Sequence, residues 1–357
     1  MSFSLEQIAA LPKALLHDHL DGGLRPATIL ELADEIGHPL PSTDLDELAE
    51  WFVRGANTKD LLQYLATFEH TIAVMQSAAH LHRVAREAAL DLAADGVVYA
   101  EVRFAPENHQ LGGLGLDDVM EAVQDGFRDG MAQARSAGNP IIVNTIVCAM
   151  RQADRSGEIA RLAVDWSRRD DRVVAFDLAG PETGFPPTDH MQAIDTVRRS
   201  HLHLTLHASE PPGLELIDQA LYCGAERIGH GVRLREDITW EDGRIAQLGR
   251  LARYVLERQV PLEMAPSCHV HVGAVESFDQ HPLAAFHRHG FVVTVNTDNR
   301  LMSGVSVSSE TFHLAQAFDL TMAELGQLAV AGVESSFSDW SERRRIVDDV
   351  IRPAYGI

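Results

Sequence analysis

A short apolar run followed by an amphipathic helical stretch recurs along this chain, and that alternation constrains the fold more than any other feature. The apolar runs are Ala14–Asp21, Val97–Phe104, Ile141–Ala149, Val173–Ala179, Leu202–Ala208, Arg227–Gly229, Pro261–Met264 and Phe291–Thr297. They are short, rich in β-branched residues and leucine, and do not alternate cleanly, as suits parallel strands covered on both faces. Helical stretches separate them: Pro26–Ile36, Leu116–Ala137, Ile159–Arg169, Asp189–Arg199, Leu214–Cys223, Arg244–Gln259 and Leu283–His289. Pro26 opens the first and Gly37 follows it, the expected polarity of a helix. Further helices are expected over Ser308–Phe318 and Met322–Arg352. Eight strands alternating with helices predict a closed (β/α)₈ TIM barrel, with an open doubly wound sheet as the alternative. Asp46–Asp95, between strands one and two, reads as helical throughout and is expected to pack over one barrel end, as part of a lid. No Pro/Gly/Ser linker or internal repeat interrupts the pattern, so residues 1–357 are expected to form one domain.

Composition narrows the partners. A formal net charge of −22 repels phosphate backbones, which argues against nucleic acid but not against a small neutral substrate. Cys148, Cys223 and Cys268 are widely spaced and suggest no disulfide framework, as expected in a reducing compartment. The N-terminus lacks a basic region followed by a long apolar run, and no stretch approaches the ~20 apolar residues of a membrane helix. A cytoplasmic, soluble protein is expected.

Chemistry gathers at strand ends. His17-Asp18-His19 ends the first run, and residues i and i+2 of a strand point to the same side, so both imidazoles can reach one ion. The spacing alone is weak, because the chain has 18 histidines and repeats it at His201/His203, His269/His271 and His287/His289. Position distinguishes the first pair. His207, His230 and Asp298 likewise end the fifth, sixth and eighth runs. In a closed barrel all strand C-termini open on one face, where catalytic residues gather. Three imidazoles and a carboxylate suit Zn²⁺ with a position left open for water. Glu210, three residues after His207, reads equally as a proton-transfer group or as a carboxylate at a helix start.

The segments His17-Asp18-His19-Leu20-Asp21-Gly22, Asp177-Leu178-Ala179-Gly180-Pro181-Glu182, His207-Ala208-Ser209-Glu210, Arg227-Ile228-Gly229-His230-Gly231 and Asn296-Thr297-Asp298 resemble, in order and spacing, those of the adenosine deaminases of the amidohydrolase superfamily, bacterial members especially. The resemblance implies one zinc per chain, held by His17, His19, His207 and Asp298. It implies that Glu210 protonates purine N1, and that His230 orients the water and stabilises developing charge, with Asp298 part of the catalytic set. It further implies substrate contacts from His19, Asp21 (to the ribose 5′-hydroxyl), Gly180 (backbone N–H to purine N3) and Asn299.

Two places break the family pattern. Asn299 stands where many members have a second aspartate facing purine N7. An amide can donate to N7 without titrating, so this remains compatible with a purine. Cys268, His269 and Val272 replace smaller polar residues and a threonine after strand seven, near the expected pocket, and bear on the exact substrate. Adenosine and 2′-deoxyadenosine are the expected substrates. The alternatives are adenine, a futalosine-type nucleoside, or mononuclear metal-dependent ester or amide hydrolysis.

Overall fold

The computed structural model describes residues 3–59 and 61–357. Among them are the strands β1 (Lys13–His19), β2 (Val97–Phe104), β3 (Ile142–Met150), β4 (Val173–Ala179), β5 (His203–Ala208), β6 (Arg227–His230), β7 (Ile238–Glu241), β8 (Arg244–Leu248), β9 (Leu262–Met264) and β10 (Val293–Val295). Eight of these form one parallel sheet in the order β1-β2-β3-β4-β5-β6-β9-β10. The ends of that sheet meet. Asp298 N–H donates to the His17 carbonyl (2.9 Å) and His19 N–H to the Asp298 carbonyl (2.8 Å), through a parallel bridge between Asp18 and Asp298. The sheet is therefore the expected (β/α)₈ barrel and not an open one. Among the described residues no helix is long and apolar enough to cross a membrane.

The barrel interior is not apolar. Along β2, Tyr99, Glu101 and Arg103 share one face by the period of two, and all three are fully buried. Arg103 binds Asp177 (2.6 Å) and Glu263 (2.7 Å); Arg227 binds Glu263 (2.6 Å) and Glu101 (2.5 Å). Charges this deep persist only when paired and hydrogen-bonded, and every one named here is. Ala100, Val102 and Phe104, on the other face of β2, join the apolar core beneath the helices.

Three stretches depart from expectation, each for a local reason. β1 stops at His19, and Leu20–Gly22 forms a 3₁₀ turn instead of continuing to Asp21. Arg244–Leu248 is a strand, not the start of a helix. Asp242 (φ 47°) and Gly243 (φ 72°) make the left-handed Asp-Gly turn that favours a hairpin with β7, and the helix begins only at Arg250. The expected final helix from Met322 breaks after Glu334. Ser335–Ser338 plugs the lower barrel: Arg227 Nη1 donates to the Ser335 carbonyl (2.9 Å), Phe337 N–H donates to Glu101 (2.6 Å), and the Arg227 guanidinium lies 3.6 Å from the centre of the Phe337 ring. Those tertiary bonds outweigh helix propensity.

The insertion between β1 and β2 is helical: Leu45–Ala56, Leu61–Ala66, Phe68–Val74 and Ala78–Ala94. Tyr64, Leu65, Phe68 and Ile72 from it line the cavity at the C-terminal ends of the strands, so it roofs that end of the barrel.

Candidate metal centre and substrate cavity

Barrel geometry carries His17, His19, His207, His230 and Asp298 to one place. Ligating atoms of His17, His207, His230 and Asp298 all lie within 4.8 Å of one another. His19 Nε2 sits 3.1 Å from His207 Nε2 and 3.3 Å from Asp298 Oδ1, and His17 Nε2 sits 3.2 Å from the same oxygen. Ser209 (φ 84°), His230 (φ 66°) and Asp298 (φ 57°) are left-handed non-glycine residues at these strand ends. Such strained backbone concentrates at functional sites.

The donor set fits a metal ion. Three imidazole nitrogens and a carboxylate oxygen converge in a buried pocket, which is the ligand chemistry of zinc. The far sides of two rings are already engaged: His17 Nδ1 with Glu263 Oε2 (2.9 Å) and His207 Nδ1 with Asp177 Oδ2 (2.8 Å). A carboxylate accepting from Nδ1 leaves the Nε2 lone pair facing inward, the arrangement expected of ligating histidines. Burial pushes the His207 imidazole down to about 4, so it stays neutral, as a ligand must be. For Asp298, burial raises the carboxyl, but hydrogen bonds and charge from His17 and His19 outweigh it and hold it well below the usual range. Asp18, the odd residue of the His-Asp-His triplet, takes no part: it accepts from Thr297 (2.8 Å) and Arg300 (3.0 Å).

Beside the cluster lies a cavity of about 200 Å³ lined in part by His19, Asp21, Gly180, Glu210, His230 and Asn299. A larger hollow of about 760 Å³ beside Trp240 and Arg244 includes none of the metal-centre residues. Glu210 is buried, and that burial, reinforced by Glu182 and Asp298, holds its carboxyl well above the usual range. That shift favours the protonated carboxyl. Its Oε1 is 3.9 Å from His230 Nε2. Burial, then the neighbouring His17, lowers the His230 imidazole well below its ordinary value. Asp21 is buried with Oδ1 unpartnered, an acceptor facing a cavity. Gly180 has φ +90°, a conformation that residues with a Cβ rarely adopt, so glycine is strongly favoured there. Asn299 Nδ2 donates to Tyr64 Oη (2.8 Å).

Cys268 and His269 lie near the cavity, as expected, but are absent from its described lining. Both are fully buried: Cys268 Sγ is 2.8 Å from Asp298 Oδ2 and within 4.8 Å of Glu210, and His269 Nε2 is 3.0 Å from His230 Nδ1. Val272 is also buried and absent from the described lining. Of these departures from the family pattern, Cys268 and His269 contact Asp298 and His230 rather than line the cavity themselves. Glu263 escaped the sequence reading, and Glu182, within a matched segment, carried no assigned role. Glu182 Oε2 accepts from Ser209 N–H (2.7 Å) and so fixes the strained turn before Glu210.

Residues 12–353 match the family model described as adenosine deaminase. The chain is 50% identical over 356 residues to an adenosine deaminase of Mycobacterium sp. (strain KMS), a match spanning 99% of this chain and 98% of that protein. It is 51% identical over 355 residues to an adenosine deaminase of Mycobacteroides abscessus, with the same shares covered. Among solved structures, an adenine deaminase from Arthrobacter aurescens superimposes with a TM-score of 0.81 at 26% identity, covering 96% of this chain and 98% of the other. A cog1816 amidohydrolase from Burkholderia ambifaria with bound Zn gives a TM-score of 0.83, covering 100% and 94%; at 23% identity that likeness concerns the fold alone.

Proposed function

The chain belongs to the adenosine deaminase family, and on that premise we propose that its single barrel domain hydrolyses the 6-amino group of adenosine and 2′-deoxyadenosine, releasing ammonia. The observation that carries the reading is a buried Glu210, its carboxyl held well above the usual range, sharing one small cavity with His19, His207, His230 and Asp298. His17, His19, His207 and Asp298 would hold zinc. When bound, zinc lowers the pKa of water towards neutrality and so supplies the nucleophile. Glu210 donates its proton to purine N1 as water adds to C6, which removes the aromatic resistance to attack. His230 orients the attacking water and stabilises charge that develops on its oxygen. Gly180 offers its backbone N–H to purine N3, and Asn299 offers its second amide hydrogen to N7. The unpartnered Asp21 Oδ1 suits the ribose 5′-hydroxyl, with His19 beside it.

A second reading, adenine as substrate, draws on the likeness to the Arthrobacter adenine deaminase. The buried acceptor at Asp21, which a free base would leave without a partner, favours the nucleoside. The test is ammonia release from adenosine, 2′-deoxyadenosine and adenine, with metal content measured alongside. Faster turnover of both nucleosides, with one zinc per chain, is expected. Preference for adenine, or full turnover by metal-free protein, overturns the proposal.

A further inference from the structure

Behind His230 the structure holds a file of imidazoles that runs away from the cavity. His230 Nδ1 is 3.0 Å from His269 Nε2, and His269 Nδ1 is 2.8 Å from His281 Nε2. The file ends on backbone: Leu283 N–H donates to His281 Nδ1 at 3.2 Å. His230 and His269 are buried to within 1% exposure, and His281 to 2%.

A peptide N–H can only donate, and this end condition settles every proton along the file. His281 must present a bare Nδ1 to Leu283, so its proton sits on Nε2 and is given to His269 Nδ1. His269 then keeps its proton on Nε2 and gives it to His230 Nδ1. His230 is left with its proton on Nε2, the nitrogen on the Glu210 side. The reverse polarity would set the His281 Nδ1–H against the Leu283 N–H, two donors facing each other. Neutral rings are required, and burial supplies them: it pushes His269 down to about 3 and His281 well below its ordinary value, with Arg233 and Arg235 adding to the effect.

We propose that His269 and His281 are positioning residues that fix His230 as the Nε2–H tautomer, so that His230 meets the reacting oxygen as a hydrogen-bond donor and cannot act there as a base. His269 touches no substrate. It acts through His230, and the Leu283 amide is the anchor of the arrangement.

The experiment combines nitrogen-15 NMR of histidine-labelled, metal-loaded protein with kinetics of two variants. His269→Gln keeps a donor near the Nε2 position, whereas His269→Glu places an acceptor there. In wild type and His269→Gln, His230 is expected to carry its proton on Nε2, with kcat within a few-fold between them. In His269→Glu, the proton is expected on Nδ1 and kcat is expected to fall on the order of 10²-fold, as when one preorganised donor is lost, with KM little changed. A wild-type spectrum with His230 protonated on Nδ1 overturns the proposal, and this holds even if His269→Glu fails to fold. Equal kcat in the two variants overturns it too. The kinetic arm rests on the deaminase reading; the tautomer does not, so the spectrum separates failure of one from failure of the other.

Discussion

Glu263→Gln would remove one negative charge from the middle of the barrel while preserving shape. Glu263 accepts from His17 Nδ1 (2.9 Å), Arg103 (2.7 Å), Arg227 (2.6 Å) and Thr205 (3.0 Å), and it is fully buried. Glutamine offers one acceptor oxygen in place of two and turns an N–H₂ group towards a guanidinium or an imidazole N–H. Arg103 would keep only Asp177 and Arg227 only Glu101, each losing the carboxylate they share. Removing one partner of a buried ion pair costs about 3–5 kcal/mol. With unfolding entropy near ~2.1 cal/mol/K per residue, 357 residues give about 0.75 kcal/mol/K, so the melting temperature should drop by about 4–7 °C. His17 would also lose its orienting carboxylate, and metal affinity should fall about 10–100-fold. Calorimetry of metal-free and metal-loaded protein measures the first effect, and chelator competition the second. A melting temperature within a degree of wild type, together with unchanged metal affinity, would refute the view that this carboxylate ties the barrel lattice to the ligands.

Glu210→Gln should retain the metal yet lose turnover by about 10²–10⁴-fold, because the amide cannot deliver a proton; kcat near wild type, with metal content measured, would make Glu210 merely structural. Asn299→Ala should erase the discrimination between adenosine-like and 7-deaza ground-state inhibitors, which in wild type should amount to about 1–3 kcal/mol; equal weakening of both proteins by the N7 substitution would remove Asn299 from the purine. Burial raises the Glu310 carboxyl from 4.5 to about 7, despite its bonds to Ser267 N–H (2.6 Å) and Oγ (2.5 Å). Between those values the folded state binds more protons than the unfolded one, so stability should decline as pH rises from 4.5 to about 7 and be fully lowered above it. Melting curves of wild type and Glu310→Gln across that window check this: the variant should lack the decline, and parallel profiles would refute it.

The clustered site residues were legible in the sequence because barrel strands all end on one face, so His17, His19, His207, His230 and Asp298 announced themselves by position. The supports were not, because each depends on contacts between distant segments. His269-x-His271 looks like three other histidine pairs, and nothing local marks His269 as the neighbour of His230 and His281. The charged interior left a trace in the Tyr99-x-Glu101-x-Arg103 alternation, but an apolar reading of the strand runs passes over it. The Asp242-Gly243 pair was an available hairpin signal, masked by the helical periodicity that follows.

The seam of the barrel has a consequence for how such a chain matures. Its first and last strands meet through His17, His19 and Asp298, three of the four proposed ligands, drawn from opposite ends of the polypeptide. A nascent chain stopped short of Asp298 lacks that carboxylate and the strand against which the barrel closes. The pocket comes into being with the longest-range strand pairing among the described residues, the kind of contact that forms late because its loop is so large. Loading of an ion at the proposed site would then wait for the last barrel strand to be made and to close against the first.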